Sequence, residues 1–571
     1  MNILTKAELL LHIARWRATW DKRDIDYRPR HLANPKFISA REAAKKIGDG
    51  ATVFSSGMAA NSRCSIFFWA IKDVYKETGH PKNLTWITIG AQGSRGRVPG
   101  TLEELSAPGL IDRIICGHLE TVKSLLKAGD EGRIEVHTMP QGVQAFLLET
   151  QMNGEKYLEI ETALGTRVDP RVGPGTYVGG KAMRENFVEP AGDKLRFHLP
   201  PIDYSLFVAP YCDLEGNLYV KHVATYTDAY ESSLAARKNG GLVIASVGGI
   251  IPKDEKKIFL RADQVDHIIY NPRSEQTGSV QQRKYWPMFT VEHRDEIDVQ
   301  ESVERLRFAN HVLKITPVRT PIELATGRLG AKLFTRIVKK GAFVNMGVGL
   351  PEEVSRMLFE GGLFKDITLF TETGVVGGLP TPGIFFGAAI APKQIVSSAQ
   401  VFHMAFEKLD LTMLGILEVD SNGNVNVSKR GPRVLDYVGP GGLPDLAAAA
   451  RNILFIGSWM AHAKIEVIDG QVKITKPGIC KFMDTITEIT FHGRNALAKG
   501  KKVYYVTNVG AFQLTEEGMM LIQVMPGIDI QRDILDVCKM KVVLPPDGRV
   551  PVVERDIVTG EGFKLSWPGE K

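Results

Sequence analysis

Thr371-Glu372-Thr373-Gly374 closes an apolar run from Ile367, so a β-strand delivers a carboxylate at its carboxyl end and flexible backbone follows at once. That arrangement presents a side chain to a cleft rather than to a core. A glutamate is ionised at neutral pH and serves as a nucleophile without a general base. On the tripeptide alone a solvated turn reads the same way, so its company matters. Gly347-Val348-Gly349-Leu350-Pro351 follows one strand and opens a helix, with proline in the first turn and Glu352 and Glu353 at the helix's positive end. Gly439-Pro440-Gly441-Gly442 precedes another helix. Both loops offer backbone amides with little side-chain obstruction, the kind of donor that stabilises an oxyanion. A tight turn that needs glycine carries the same pattern. Val348, Gly349, Gly441 and Gly442 are the candidate donors.

The elements that position these residues follow an α/β rhythm. The patterning predicts a helix over 41–47, a strand over 51–54, and a strand over 84–89 that opens into Gly90-Ala91-Gln92-Gly93. A charged, helix-like stretch at 301–312 reads as a connector. The rhythm then resumes with a helix over 322–338, a strand over 342–346, the glycine turn, a further helix, and the strand at 367–371. KIGDGATVFSSG (46–57) is echoed by VKKGAFVNMG (338–347). Asp213, Gly216, Asn217 and Val220 recur at the same spacing as Asp420, Gly423, Asn424 and Val427. Two echoes in the same order predict tandem copies of one mainly parallel α/β domain, with the site in the cleft between copies at the strands' carboxyl ends. The expected layout is a helical arm over 1–38, a first domain over 39–295, a connector over 296–321, and a second domain over 322–571 that carries Glu372. In the arm, Thr5 and Glu8 have capping-box spacing, and Leu9, Ile13, Trp16 and Trp20 recur at helical intervals. They predict a helix packed on its own subunit or on a neighbour.

Composition narrows the class of function. With 571 residues, 44% of them hydrophobic and 24% charged, the chain is long enough for two full cores. The net charge of +6 comes from 71 basic and 65 acidic residues with no long run of either sign, which excludes a nucleic-acid footprint. The five cysteines are scattered and never at CxxC spacing, and no His/Cys/Asp cluster has ligand spacing, so neither a metal site nor a disulfide framework is expected. The longest uncharged stretch, Gly374 to Pro392, is interrupted by five glycines and three prolines and is no membrane span. A reducing cytoplasm is the expected compartment.

The stretch from Thr371 to Pro444 resembles the β-half of the family I CoA-transferases, most of all the fused propionate and short-chain acyl-CoA:acetate transferases. The likeness rests on ETGVVGG, DSNGNVNVSK and GPGG, and it continues in ITEITFHG and PGIDIQRDIL. In the first half it rests on ETGHPKNLT, GLIDRIICGH, MPQGV and DPRVGPG. Together these span about residues 40 to 550. The resemblance implies two α/β domains with a glutamyl-CoA thioester formed between them on Glu372. It also implies acyl-CoA and small carboxylic acids as partners, CoA as substrate and covalent intermediate rather than bound cofactor, and a homo-oligomer, dimer or tetramer. Gln92 matches a position where relatives hold the substrate carboxylate, and Lys429 and Arg430 are candidates for CoA phosphates. A hydrolase using the same glutamate, or a non-catalytic binding protein of the same fold, is the alternative. The chain departs from its relatives around the acyl pocket, at Gly57 to Asn61, at His118-Leu119-Glu120 and at FHMAFEKLD (402–410). Phe402, Met404 and Phe406 are therefore expected either to line a larger acid pocket or to belong to the core.

Overall fold

The computed structural model describes residues 1–19, 23–29, 32–58, 61–94, 98–272 and 285–569. Short β-branched runs ending in glycine turns form seven parallel strands in the first half: β1 (Thr52–Ser55), β2 (Leu84–Thr88), β3 (Ile111–Cys116), β4 (Glu135–His137), β5 (Tyr204–Cys212), β6 (Leu242–Ile250) and β7 (His267–Tyr270). They lie in the order β7-β6-β5-β1-β2-β3-β4. The second half supplies β8 (Phe343–Met346), β9 (Thr368–Phe370), β10 (Leu409–Gly415), β11 (Asn452–Ile456) and β12 (Lys502–Val506), parallel in the order β9-β8-β10-β11-β12. Antiparallel strands extend both edges of this second sheet.

The two orders superimpose. β2-β1-β5-β6-β7 of the first sheet runs as β9-β8-β10-β11-β12 does in the second. The repeated Asp/Asn motif has the same hydrogen bonds in both copies. Asp213 Oδ1 accepts from the Asn217 amide (3.0 Å) while its Oδ2 accepts from Asn217 Nδ2 (2.8 Å). Asp420 does the same with Asn424, at 2.9 Å in each case. The Asn side-chain oxygens then accept the amides of Ala262 and Gly493. The tandem duplication is thus visible in topology as well as in sequence.

Both sheets are buried and mainly apolar, as parallel sheets covered on two faces must be, with Arg113, Glu135 and His137 paired among themselves on β3 and β4. Along β1, β2, β3 and β5, Val53, Trp86, Ile114 and Leu206 enter one core. Their neighbours Phe54, Ile87, Ile115 and Phe207 enter another, which runs on without a break into the second half. Seven helices matter here: α1 (Ile3–Thr19), α2 (Gln141–Met152), α3 (Val299–Leu313), α4 (Pro321–Ile337), α5 (Leu350–Glu360), α6 (Ser398–Lys408) and α7 (Leu443–Ala449). The first-half helix α2 packs on α6 and α7 of the second half, and α1 packs on α3. Among the described residues no helix is long and apolar enough to cross a membrane.

One expectation changes. Asn2 Oδ1 accepts the Thr5 amide at 2.8 Å, so Asn2 opens α1 and Thr5 lies inside it, and no Thr5/Glu8 box forms there. Leu9, Ile13 and Trp16 are buried as expected, whereas Trp20 lies outside the described residues. Of the two readings for Phe402 and Phe406, Phe402 takes the core one, and Phe406 is partly exposed at its edge. Their rings sit 6.4 and 5.9 Å from Phe146 of α2, with His403 against the same ring at 4.5 Å, so these aromatics are spent on the contact between halves.

The paired motifs carry stability. Asp213 additionally accepts from the Glu215 and Gly216 amides and the Tyr219 hydroxyl, whereas Asp420 adds only the Asn422 amide. Each stranded buried donor costs about 1–3 kcal/mol. Asp213→Ala is therefore expected to lower the urea midpoint more than Asp420→Ala, and both to lower it. Urea titration followed by circular dichroism decides; equal or negligible losses would mean these bonds do not hold the loops.

Candidate active site

β8 and β9 run parallel with Asn345 beside Phe370, so the Gly347–Gly349 turn and Thr371-Glu372 leave the sheet next to each other. The turn after Glu372 is sharp. Gly374 has φ +95°, and a Cβ there would stand 1.9 Å from the Val396 carbonyl oxygen, a position closed to any other residue. Thr373 anchors the peptide on both sides: its hydroxyl donates to the Gly387 carbonyl, and its own carbonyl accepts from Thr225 Oγ of the first half at 2.6 Å. Asn61 of the first half donates to the Phe386 carbonyl in the loop that follows. Glu372 thus stands where the two halves meet.

Its carboxylate rests on the Gly439–Gly442 loop. A Cβ built on Gly442 would lie 2.8 Å from Glu372 Cδ and 2.9 and 3.1 Å from its two oxygens. Any side chain at 442 would push the carboxyl out of this position. The loop in turn is docked on the first half. The Gly441 amide donates to the Gly117 carbonyl (2.9 Å), the Gln141 amide donates to the Gly441 carbonyl (3.0 Å), and Gly439 sits against Gly117 with room for no side chain. Asp445, in the first turn of α7, is wholly buried and accepts the amides of Gly142 (2.8 Å) and Val143 (3.1 Å) at the start of α2. A Cβ on Gly142 would strike the Asp445 carboxyl at 2.6 Å. Sequence reading missed Asp445; its signal was an acidic residue three places after the glycine loop.

The electrostatics are those of a desolvated pair. Burial pushes Glu372 up to about 7 and Asp445 up to about 8, and the charge of Glu372 adds to the rise at Asp445 against the pull of its two amide bonds. Glu372 itself is half-buried, so its carboxyl keeps a side toward solvent while the burial around it makes its ionised form a stronger base than that of an exposed glutamate.

The remaining sequence candidates divide. Val348 is 43% exposed, and Gly349, with φ +95°, opens α5 with free space around its Cα. Their amides make no backbone bond among the described residues, while Gly347 spends its own on Met413. Gly442 likewise keeps its amide, but Gly441 does not, being bonded to Gly117. Gln92 is fully buried. Its Nε2 contacts the Ser55 carbonyl (2.8 Å), Ser55 Oγ (3.0 Å) and Thr88 Oγ (3.2 Å), and its Oε1 accepts from the Cys64 amide (2.9 Å). It braces the end of β1 and has no hydrogen left for a substrate. Arg430 is exposed but paired with Glu120 at 2.7 Å, one of the residues at which this chain departs from its relatives. Lys429 is half-buried beside it. A second seam brings DPRVGPG and ITEITFHG together: Glu488 accepts from Ser428 and Tyr437 hydroxyls and lies 3.3 Å from Arg167 Nε.

Two outcomes follow for Gly442 and Glu372. Gly442→Ala sets a methyl against the Glu372 carboxyl, so the side chain must turn aside, and a lower thermal midpoint with the fold retained, read by circular dichroism, is expected. Burial makes the folded chain hold a proton that the unfolded chain, with Glu372 near 4.5, has already released, so this group's contribution falls as pH rises from about 4.5 to about 7. Glu372→Gln removes that cost. It is expected to raise the thermal midpoint at pH 8, by a free energy on the order of 3 kcal/mol at most, and to change little at pH 4.5. An equal shift at both pH values would mean the carboxyl is solvated.

No protein-family model matches the chain. Among curated proteins it is similar to the caffeate CoA-transferase of Acetobacterium woodii, 30% identical over 515 residues, which cover 88% of this chain and 93% of that one. It is also similar to the acetate CoA-transferase YdiF of Escherichia coli K12, 28% identical over 94% of this chain and 98% of that one. Among solved structures it matches the acyl-CoA transferase YdiF apoenzyme of E. coli O157:H7 with TM-score 0.80 and 26% identity, covering 94% and 99% of the two chains. A thioester complex of that protein with CoA matches with TM-score 0.79. With this coverage and identity, on a two-sheet scaffold of the same shape, the chain belongs to the CoA-transferase family.

Proposed function

We propose that this enzyme moves CoA from an acyl-CoA to a carboxylic acid by a ping-pong route through a thioester on Glu372. The observation that carries the reading is the contact between the desolvated Glu372 carboxylate and Gly442 at the seam of the two halves. The carboxylate attacks the thioester carbonyl, giving a mixed glutamyl anhydride and CoA thiolate. The thiolate then attacks the glutamyl carbonyl and expels the first acid as its carboxylate. No net proton is taken up or released, and the enzyme–CoA thioester keeps the free energy of the thioester bond. A second carboxylate runs the sequence backwards. The thioester complex known for the E. coli relative supports this route.

In this reading the amides of Gly442, Val348 and Gly349 receive the oxyanions, each well-placed donor being worth about 3–4 kcal/mol. Gly441 and Gln92 are withdrawn from contact with substrate, and their place is to hold the loop and the end of β1. Lys429 is the cation kept for the CoA phosphates, since Arg430 is matched by Glu120. The units over 39–295 and 322–571, linked by 296–321, enclose the acids between them. Relatives named for acetate and for caffeate bracket the acids to be tried. All five cysteines are free thiols, as a reducing cytoplasm would keep them.

Initial-rate plots at several fixed acceptor concentrations are expected to be parallel; intersecting lines without donor–product exchange would remove the covalent form. Borohydride after incubation with acyl-CoA alone should leave a reduced residue at 372. Glu372→Ala should lose transfer, and Glu372→Asp should lose about a hundredfold by withdrawing the carboxylate roughly 1.5 Å. A free acid of pKa about 7 requires kcat/KM for the donor to fall tenfold per pH unit below that value and to level above it. A profile flat down to pH 5 would show an ordinary exposed glutamate.

A further inference from the structure

Helix α1 has two apolar faces, and only one of them is covered. Thr5, Leu9, Ile13 and Trp16 face inward, where Leu9 joins Phe289, Val303, Leu306 and Phe385 in a small core and His12 meets Trp286 edge-on at 5.7 Å. On the opposite side Ile3, Leu4, Ala7, Leu10, Leu11, Ala14 and Ala18 are exposed. Their 3- and 4-residue spacing draws one stripe along the whole 17-residue helix, about 120° wide at 100° per residue. Ile3 is 81% exposed, Leu4 77%, Leu10 46% and Leu11 70%. Scattered exposed leucines need no explanation, but a continuous stripe does.

The order of side-chain sizes along the stripe identifies its occupant. Large residues stand at the amino end, leucines at the middle and alanines toward the carboxyl end. Laid antiparallel on a second copy about a twofold axis between residues 10 and 11, Ile3 and Leu4 meet the partner helix at its Ala18 end. Ala7 then faces the alanine at 14, Leu10 faces the leucine at 11, and the small pair lets the backbones close. Large meets small at both ends and the contact is self-complementary, as a twofold interface requires. A parallel pairing would set large against large at one end and small against small at the other, and would open like a wedge. On the rim, Glu8 and Arg15 come within reach of each other across the axis; Lys6 and Arg17 on the other rim are both basic and add nothing. The stripe covers roughly 500 Å² per copy, so the pair buries roughly 1,000 Å², the area at which a specific interface begins.

We propose that α1 is one half of an antiparallel helix–helix contact between two copies of this chain, centred on Leu10 and Leu11. Because the stripe is exposed in the single chain, replacing it leaves the fold intact, and the test is one of assembly. Full-length wild type and the Leu10→Glu/Leu11→Glu variant are compared by sedimentation equilibrium at micromolar concentration, with circular dichroism as the control for folding. The variant's mass is expected to fall by a factor of two. Geometry is tested separately in a chain carrying Cys480→Ser and Cys538→Ser. Leu11→Cys should form a disulfide-linked dimer under mild oxidation by oxidised glutathione. Ile3→Cys should not, since its two copies lie roughly 22 Å apart along antiparallel helices at 1.5 Å rise per residue. A monomeric wild type, an unchanged mass in the double variant, or Ile3→Cys linking as readily as Leu11→Cys overturns the proposal. So does a monomer that cosediments with phosphatidylserine vesicles through the same leucines.

Discussion

The approach of the Glu372 carboxylate to Gly442 constrains everything around it. A β-carbon at 442 would displace the Glu372 carboxyl from where it now lies, so glycine there and a fixed loop keep this placement. The loop has no sheet to hold it. Its rigidity comes from the other half of the molecule, through the Gly441–Gly117 and Gln141–Gly441 backbone bonds and the two amides given to Asp445. A backbone bond across an interface has no side chain to swing away, and an acid that caps two amides at the start of α2 fixes α7 against it in two directions. Glu372 therefore belongs to the second half and its placement to the first.

That division accounts for the electrostatics. A carboxylate at a strand end would ordinarily face solvent. Here the first half packs beside it, and partial burial lifts Glu372 to about 7. A second buried carboxyl, Asp445, is tolerated nearby because two amides share its charge. Loss of the negative charge on Glu372 would remove both the desolvation cost and the repulsion of its neighbour, so burial favours any neutral form of this side chain.

How much of this was legible from sequence depended on whether the cause was local. Strand-end Glu372, the glycine turns, the helices at 301–312 and 322–338, and the duplication were readable, because periodicity and spacing are local properties. The repeated Asp/Asn motif even carried its hydrogen bonds with it. What failed depended on partners that the sequence does not mark. Gly441 looked as free as Gly442 until Gly117 of the other half took its amide, and Arg430 looked like an open cation until Glu120 of the other half answered it. Gln92 looked like a donor to substrate until Ser55, Thr88 and Cys64 of its own half used it up. Of the two readings left open for Phe402, the core one holds. Asn2 replaced Thr5 as the cap because helix starts differ by a residue or two from any pattern.

The failures share a direction. Apart from Gln92, whose bonds stay within the first half, each residue that sequence assigned to ligand and structure assigned to protein lies on the seam. The chain's departures from its relatives at 118–120 and 402–410 fall there as well: Glu120 binds Arg430 across it, and His403 pairs with Glu149 across it at 2.7 Å. Substitutions at a seam alter how two rigid sheets meet before they alter what lines a pocket. Phe146 on α2, packed against Phe402, His403 and Phe406 of α6, thus belongs to the same seam that places Glu372, and a change of ring size there alters the approach of the two sheets before it alters Glu372 itself.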